Sequence, residues 1–126
     1  FNPSSMAEAC ATLAGKVPDG PEAWAGLALF SLVDALGAVP EELNQVTGRS
    51  FDRIRVAGGG SRSLAFCQAL ADRTGLPVVA GPVEGTVLGN LAVQFLAQGE
   101  YPDVATMAAA VDRSVATHTT LPRPRE

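Results

Sequence analysis

A chain of 126 residues, 47% hydrophobic and carrying a net charge of −4, is the size of one domain and can bury a real core. Its acidic balance excludes a nucleic-acid surface, because Arg49, Arg53, Arg55, Arg62 and Arg73 are interleaved with acids rather than gathered in a patch. No apolar run reaches the roughly 20 residues of a membrane span, and no signal-peptide pattern opens the chain. The cytoplasm is therefore the expected compartment, with no membrane partner.

Phe1-Asn2-Pro3 is not an initiator context, and Met6 falls inside the first helical pattern. The chain is accordingly expected to be a piece of a longer one. Ser5-Met6-Ala7-Glu8 is a capping-box pattern that predicts a helix over residues 6–13, ended by Gly15. Asp19-Gly20-Pro21-Glu22 repeats the start signal. The next helix carries Trp24, Leu27, Ala28, Leu32 and Leu36 at three- and four-residue spacing, as a core-facing stripe. Leu29, Phe30 and Val33 widen that stripe nearly all round, the pattern of a buried helix. Trp24 and Phe30 then read as core rather than as a sugar-stacking platform. Gly37 and Pro40 should kink or interrupt this helix, with helix resuming over 41–47 and stopping at Gly48.

Residues 53–57 read as a strand, 61–74 as a helix with Leu64, Ala65, Cys67, Gln68 and Ala71 inward, and 77–80 as a second strand. A strand, helix and strand in this space form a parallel βαβ unit. Asp72 and Arg73 read as a solvated helix face. Further helices are expected over 84–98, where Gly85 and Gly89 lie one turn apart, and from Asp103 to about residue 115. Residues 117–126 read as a flexible tail. Two strands seldom stand alone, so the edges at Ile54, Val56, Val78 and Val79 should be covered, by self-association if by nothing else.

Cys10 and Cys67 have no metal-ligand spacing and read as plain buried thiols. The single histidine, His118, lies in the tail without partners for metal or acid–base chemistry. No metal ligands are therefore assigned.

Between the two strands lies the feature that carries chemistry, Gly58-Gly59-Gly60-Ser61-Arg62-Ser63. A strand, a bare glycine turn and a helix start suit a phosphate-bearing ligand. A Walker A loop is excluded, because no Gly-Lys-Ser/Thr follows. A dinucleotide fingerprint fits poorly, because its third glycine is Ser63 and the second strand ends without an acid. A tight turn with no ligand remains open at this level.

Residues 53–90, "RIRVAGGGSRSLAFCQALADRTGLPVVAGPVEGTVLGN", closely resemble the C-terminal nucleotide-binding segment of the FGGY carbohydrate kinases. The likeness extends more weakly from Phe1-Asn2-Pro3 to about Ser114. Gly81-Pro82-Val83-Glu84, followed by Thr86, Leu88, Gly89 and Asn90, favours the branch acting on L-rhamnulose. The resemblance implies an α/β fold: the distal part of a C-terminal actin-like (ribonuclease H-like) ATPase domain, with residues 1–116 as a partial nucleotide-binding domain. It implies ATP/ADP as the nucleotide and Mg²⁺ for the parent reaction, phosphoryl transfer to a ketose hydroxyl. Gly58, Gly59 and Gly60 would bind the nucleotide, the Gly59 backbone lying near the α-phosphate and ribose, where a Cβ would hold the ligand away. Ser63 would face the adenine, where the family usually has asparagine. Glu84 would brace the turn or serve only as a carboxylate at a helix start. The catalytic Asp, the phosphate-gripping hairpin and most of the sugar pocket would lie outside this segment, so no catalytic residue is assigned. A non-catalytic remnant or interaction module that keeps the scaffold is the alternative.

Overall fold

The computed structural model describes residues 5–124. Phe1-Asn2-Pro3 and the last two positions of the expected tail lie outside the described residues. The chain divides into two compact units, Phe1–Leu32 and Val33–Glu126.

In the first unit, helix α1 spans Met6–Ala14. Ser5 Oγ accepts from the Glu8 N–H at 3.3 Å, and Gly15 ends the helix at φ 71°. Both signals were legible as a cap and a left-handed stop. Cys10, Leu13, Trp24, Leu27 and Ala28 line an apolar crevice of about 330 Å³, so Trp24 sits half-buried among aliphatic neighbours. Phe30 departs from its expected core position and is 61% exposed.

Helix α2 runs from Gly20 to Thr47 without the expected interruption, Pro40 lying inside it. Gly37 has a different role. A Cβ there would meet the Arg73 Cγ at 2.6 Å, so glycine lets that side chain pass to Asp34, one turn earlier, at 2.9 Å. Nor is α2 buried all round. Only Val33 is closed off, and Leu32 and Leu36 are exposed at 50% and 40%. Contrary to the expectation of no spanning run, α2 is long and apolar enough to cross a membrane by length and composition, with mean hydropathy 1.5 over its most apolar 18 residues. Its Asp34 is nevertheless tied to Arg73 within the same compact unit, which fits a helix laid against protein.

The second unit is organised on a three-stranded mixed sheet. Strands β1 (Ile54–Val56) and β2 (Val78–Ala80) are parallel and joined by helix α3 (Leu64–Thr74), the predicted βαβ unit. The core lies where α3 meets the sheet: Phe66, Cys67, Leu70, Ala71, Val78 and Ala80 are all buried. Leu64, expected inward, is 68% exposed. The helix begins at Leu64, with Ser63 as its N-cap, rather than at residue 61, because a 3-10 turn takes up Gly59–Arg62; its buried face is Phe66, Cys67, Leu70 and Ala71. Burial pushes the Cys67 thiol above its ordinary value, in keeping with an inert packed thiol.

Helices α4 (Gly85–Ala97) and α5 (Val104–Ser114) follow, the latter capped by Asp103 accepting from the Thr106 N–H at 2.7 Å. The chain then contradicts the expected loose tail. Residues His118–Thr120 form strand β3, antiparallel to β2 in the register Ala80↔His118 and Val78↔Thr120. β2 is thus the central strand, and Val78 and Val79 do not lie on an edge. A polar Thr-His-Thr-Thr run gives no apolar alternation to read; its pairing comes from the neighbouring strand.

Candidate functional site: the glycine turn after β1

β1 delivers the chain to Gly58, whose φ of 81° and ψ of −165° are accessible essentially only to glycine. The backbone then closes one 3-10 turn. Ser61 N–H and Ser61 Oγ both donate to the Gly58 carbonyl, at 3.0 and 2.7 Å, and Ser63 N–H donates to Gly60 at 3.1 Å. Gly58 N–H is taken by the Pro82 carbonyl at 2.9 Å, which fixes the turn to the segment after β2. Among the described residues, the Gly59 and Gly60 N–H groups donate to no backbone or side-chain acceptor.

The three glycines have distinct surroundings. A Cβ on Gly59 would meet nothing within 4 Å, so the space beside this exposed residue is open. On Gly60 it would rest on Val56 and Phe66 at 3.7 and 3.8 Å, against the core. On Gly58 it would come only as close as 3.9 Å to the Val83 carbonyl, so there the backbone angle and not space selects glycine. Free N–H groups beside an open face, backed by a packed one, can hold an anionic or polar group without side-chain charge. The residues present therefore fit a phosphate-bearing ligand.

Ser63 is first of all the N-cap of α3, its Oγ accepting from the Phe66 N–H at 3.2 Å. Its hydroxyl proton stays available to a ligand from an exposed position next to the turn. Glu84 is the N-cap residue of α4, but its carboxylate makes no capping bond; backbone, through Pro82, braces the turn instead. Gly85 allows this approach, since its Cβ would lie 3.2 Å from that of Ala57. Nothing comes within 4 Å of a Cβ on Gly89, so only one of the two α4 glycines serves a close contact.

Sequence reasoning missed two arrangements. Asp72 and Arg73 are not a merely solvated face. Asp72 holds Arg123 through its N–H at 2.8 Å and its Nε at 3.0 Å, while Arg73 reaches Asp34. The Arg123 N–H above all draws the Asp72 carboxyl below the ordinary carboxylate value. Gly81 is also buried at φ 112°, and a Cβ there would sit 2.8 Å from the Ala116 carbonyl. The Gly-Pro dipeptide at 81–82 was a usable turn signal, but not for this contact.

An apolar crevice of about 420 Å³ lies beside β1, walled by Leu36, Val39 and Leu43 of α2 with Phe51, Ile54 and Phe66. It offers packing surface rather than chemistry. Among the described residues no three of His, Cys, Asp and Glu converge as metal ligands.

Residues 1–98 match the C-terminal domain of the FGGY family of carbohydrate kinases. The chain is 35% identical to the rhamnulokinase of Bacteroides thetaiotaomicron across 97% of its own length, and spans 26% of that protein. Helix α2, the glycine turn and α4 all fall inside the matched residues. This chain belongs to the FGGY family of carbohydrate kinases, as part of that family's C-terminal domain.

Proposed function

We propose that this chain supplies the adenosine side of the nucleotide cleft of an ATP-dependent, Mg²⁺-assisted cytoplasmic sugar kinase. The fold would be the distal part of an actin-like ATPase domain. The acceptor is a ketose hydroxyl, and L-rhamnulose is the sugar favoured by the likeness to a rhamnulokinase. One observation carries this reading: the open face at Gly59, with the free N–H groups of Gly59 and Gly60, in a chain that matches the family's C-terminal domain.

The nucleotide would bring the transferable phosphoryl group, and the metal would neutralise its charge. The residues here bind and orient. Gly59 and Gly60 N–H groups meet a phosphate oxygen or the ribose, and the Ser63 hydroxyl donates toward the adenine. Among the described residues no carboxylate beside the turn is positioned as a general base, so the segment by itself is expected to transfer no phosphoryl group.

The exposed apolar surfaces have a natural role in this reading. Leu36, Val39 and Leu43 and the outer edge of β1 would seat the remainder of the kinase. Ile54 and Val56 turn their backbone groups toward β2, through Ile54 N–H to Pro77 and Gly81 N–H to Val56, so Arg55 presents the free N–H and C=O. Self-association of this segment alone would use that edge.

Calorimetry with ADP on the whole enzyme carrying this segment tests the reading. Gly59→Val should fold, since Gly59 has no positive φ and a Cβ there meets nothing. It should abolish binding by filling the ligand's space. Ser63→Asn keeps a good helix cap and adds an amide. One added hydrogen bond is worth about 0.5–1.5 kcal/mol, a gain of roughly two- to tenfold in affinity. Unchanged ADP binding by Gly59→Val would reduce the site to a structural turn.

A further inference from the structure

Residues 115–123 lie beyond the stretch matched by the family, which ends at residue 98. They run along β2 on the side away from β1 and are fastened at both ends. Before them, Asp112 of α5 is gripped by both terminal nitrogens of Arg55 on β1, at 2.6 and 3.3 Å. At their far end, Gln68 and Asp72, one turn apart on α3, take hold of the backbone. Gln68 Nε2 donates to the Leu121 carbonyl at 3.1 Å and to Asp72 Oδ1 at 2.9 Å, and Arg123 N–H donates to the same Oδ1 at 2.8 Å. Between these fastenings β3 pairs with β2, and Thr120 is buried.

The start of this segment meets the chain at Gly81, next to the Pro82 brace of the turn. The Ala116 carbonyl and Thr117 Cα lie against Gly81, at 2.8 and 3.6 Å from where its Cβ would be. Gly81 N–H donates to Val56 at the end of β1, and the next residue, Pro82, accepts the Gly58 N–H. A displacement of residues 116–117 therefore reaches the turn through two hydrogen bonds and no flexible side chain.

We propose that residues 115–123 form a strap that positions the glycine turn for its ligand, with Gln68 and Asp72 as the positioning residues that hold it. The proposal rests on the reading of the turn as a nucleotide site, and its test separates the two. Amide hydrogen exchange is compared between the parent chain and the double variant Gln68→Ala, Asp72→Ala. Opening of the strap should speed exchange at His118 and Thr120, which face β2, and also at Gly58, Ser61 and Ser63, by about tenfold or more, while Leu70 on α3 stays protected. Faster exchange confined to residues 117–123 would overturn the proposal. If the double variant does not fold, Asp72→Asn, which keeps an acceptor for the Arg123 N–H, gives the same comparison at smaller amplitude. Calorimetry with ADP on the whole enzyme should show affinity lowered about three- to tenfold by the double variant, with a tightly bound parent. Coupled exchange with no ADP binding to the parent would keep the strap and remove the nucleotide reading.

Discussion

The βαβ segment and helix α2 are both rich in alanine, leucine and valine, yet water reaches them very differently. Cys67, Leu70, Ala71 and Val78 are 0–2% exposed, whereas Leu32, Leu43 and Val46 on α2 are 50%, 44% and 84% exposed. The first set is enclosed by its own neighbours, since strand, helix and strand close on one another within about 25 residues of chain. The second set has the same chemical drive toward burial but no partner in this segment. Apolar pattern states what must be covered, and topology decides what covers it.

Truncating one residue of each kind gives the largest test of that difference. Leu70→Ala should cost about 2–5 kcal/mol in urea unfolding of this chain, by lost transfer energy and the cavity left behind. Leu43→Ala should cost no more than about 0.5 kcal/mol in the same chain. In the whole kinase Leu43→Ala should become several times more costly, if α2 is covered there. Equal small losses in both settings would mean that α2 faces solvent or lipid throughout.

The same difference explains what the sequence disclosed. The cap at Ser5 and the stop at Gly15 were readable because each is a contact within one helical turn, whereas Ser63 was read as lying inside its helix and not as its cap. The glycine turn was readable too, because Gly58 needs a backbone angle that only its own residue type supplies. What stayed hidden depends on residues far along the chain: β3 pairing at His118–Thr120, the Asp72 grip on Arg123, and Gly81 against Ala116. Gly37 misled for the same reason. Read locally it is a helix breaker, but it serves Arg73, 36 residues away.

Acid should loosen the carboxylate fastenings before the core. Asp72 is held below the ordinary value of 3.8 chiefly by the Arg123 N–H, Asp112 by the Arg55 side chain, and Asp103 by the Thr106 N–H. The folded chain releases these protons more readily than the unfolded chain. Their contribution is therefore complete above about pH 5 and is lost as pH falls through 3.8 toward the lower folded values. Urea midpoints measured downward from neutral pH should fall in that window. Asp72→Asn should flatten the decline, and an unchanged slope would mean that the grip on Arg123 adds nothing to stability.

Gly37→Ala carries the smallest expected net effect and separates a local from a long-range contribution. Alanine in a helix interior is favoured over glycine by about 1 kcal/mol. Its Cβ would lie 2.6 Å from the Arg73 Cγ, so that side chain must swing away and leave Asp34. The ion pair is half-exposed, and such pairs contribute about 0–1 kcal/mol. The two effects oppose each other, and the single variant should fall within about 0.5 kcal/mol of the parent. Removing the crossing side chain first isolates the helix effect. In an Arg73→Ala background, Gly37→Ala should stabilise by about 0.5–1 kcal/mol. If Gly37→Ala gives the same stability change with and without Arg73, the close passage of that side chain does not govern the position, and glycine at 37 serves only the backbone.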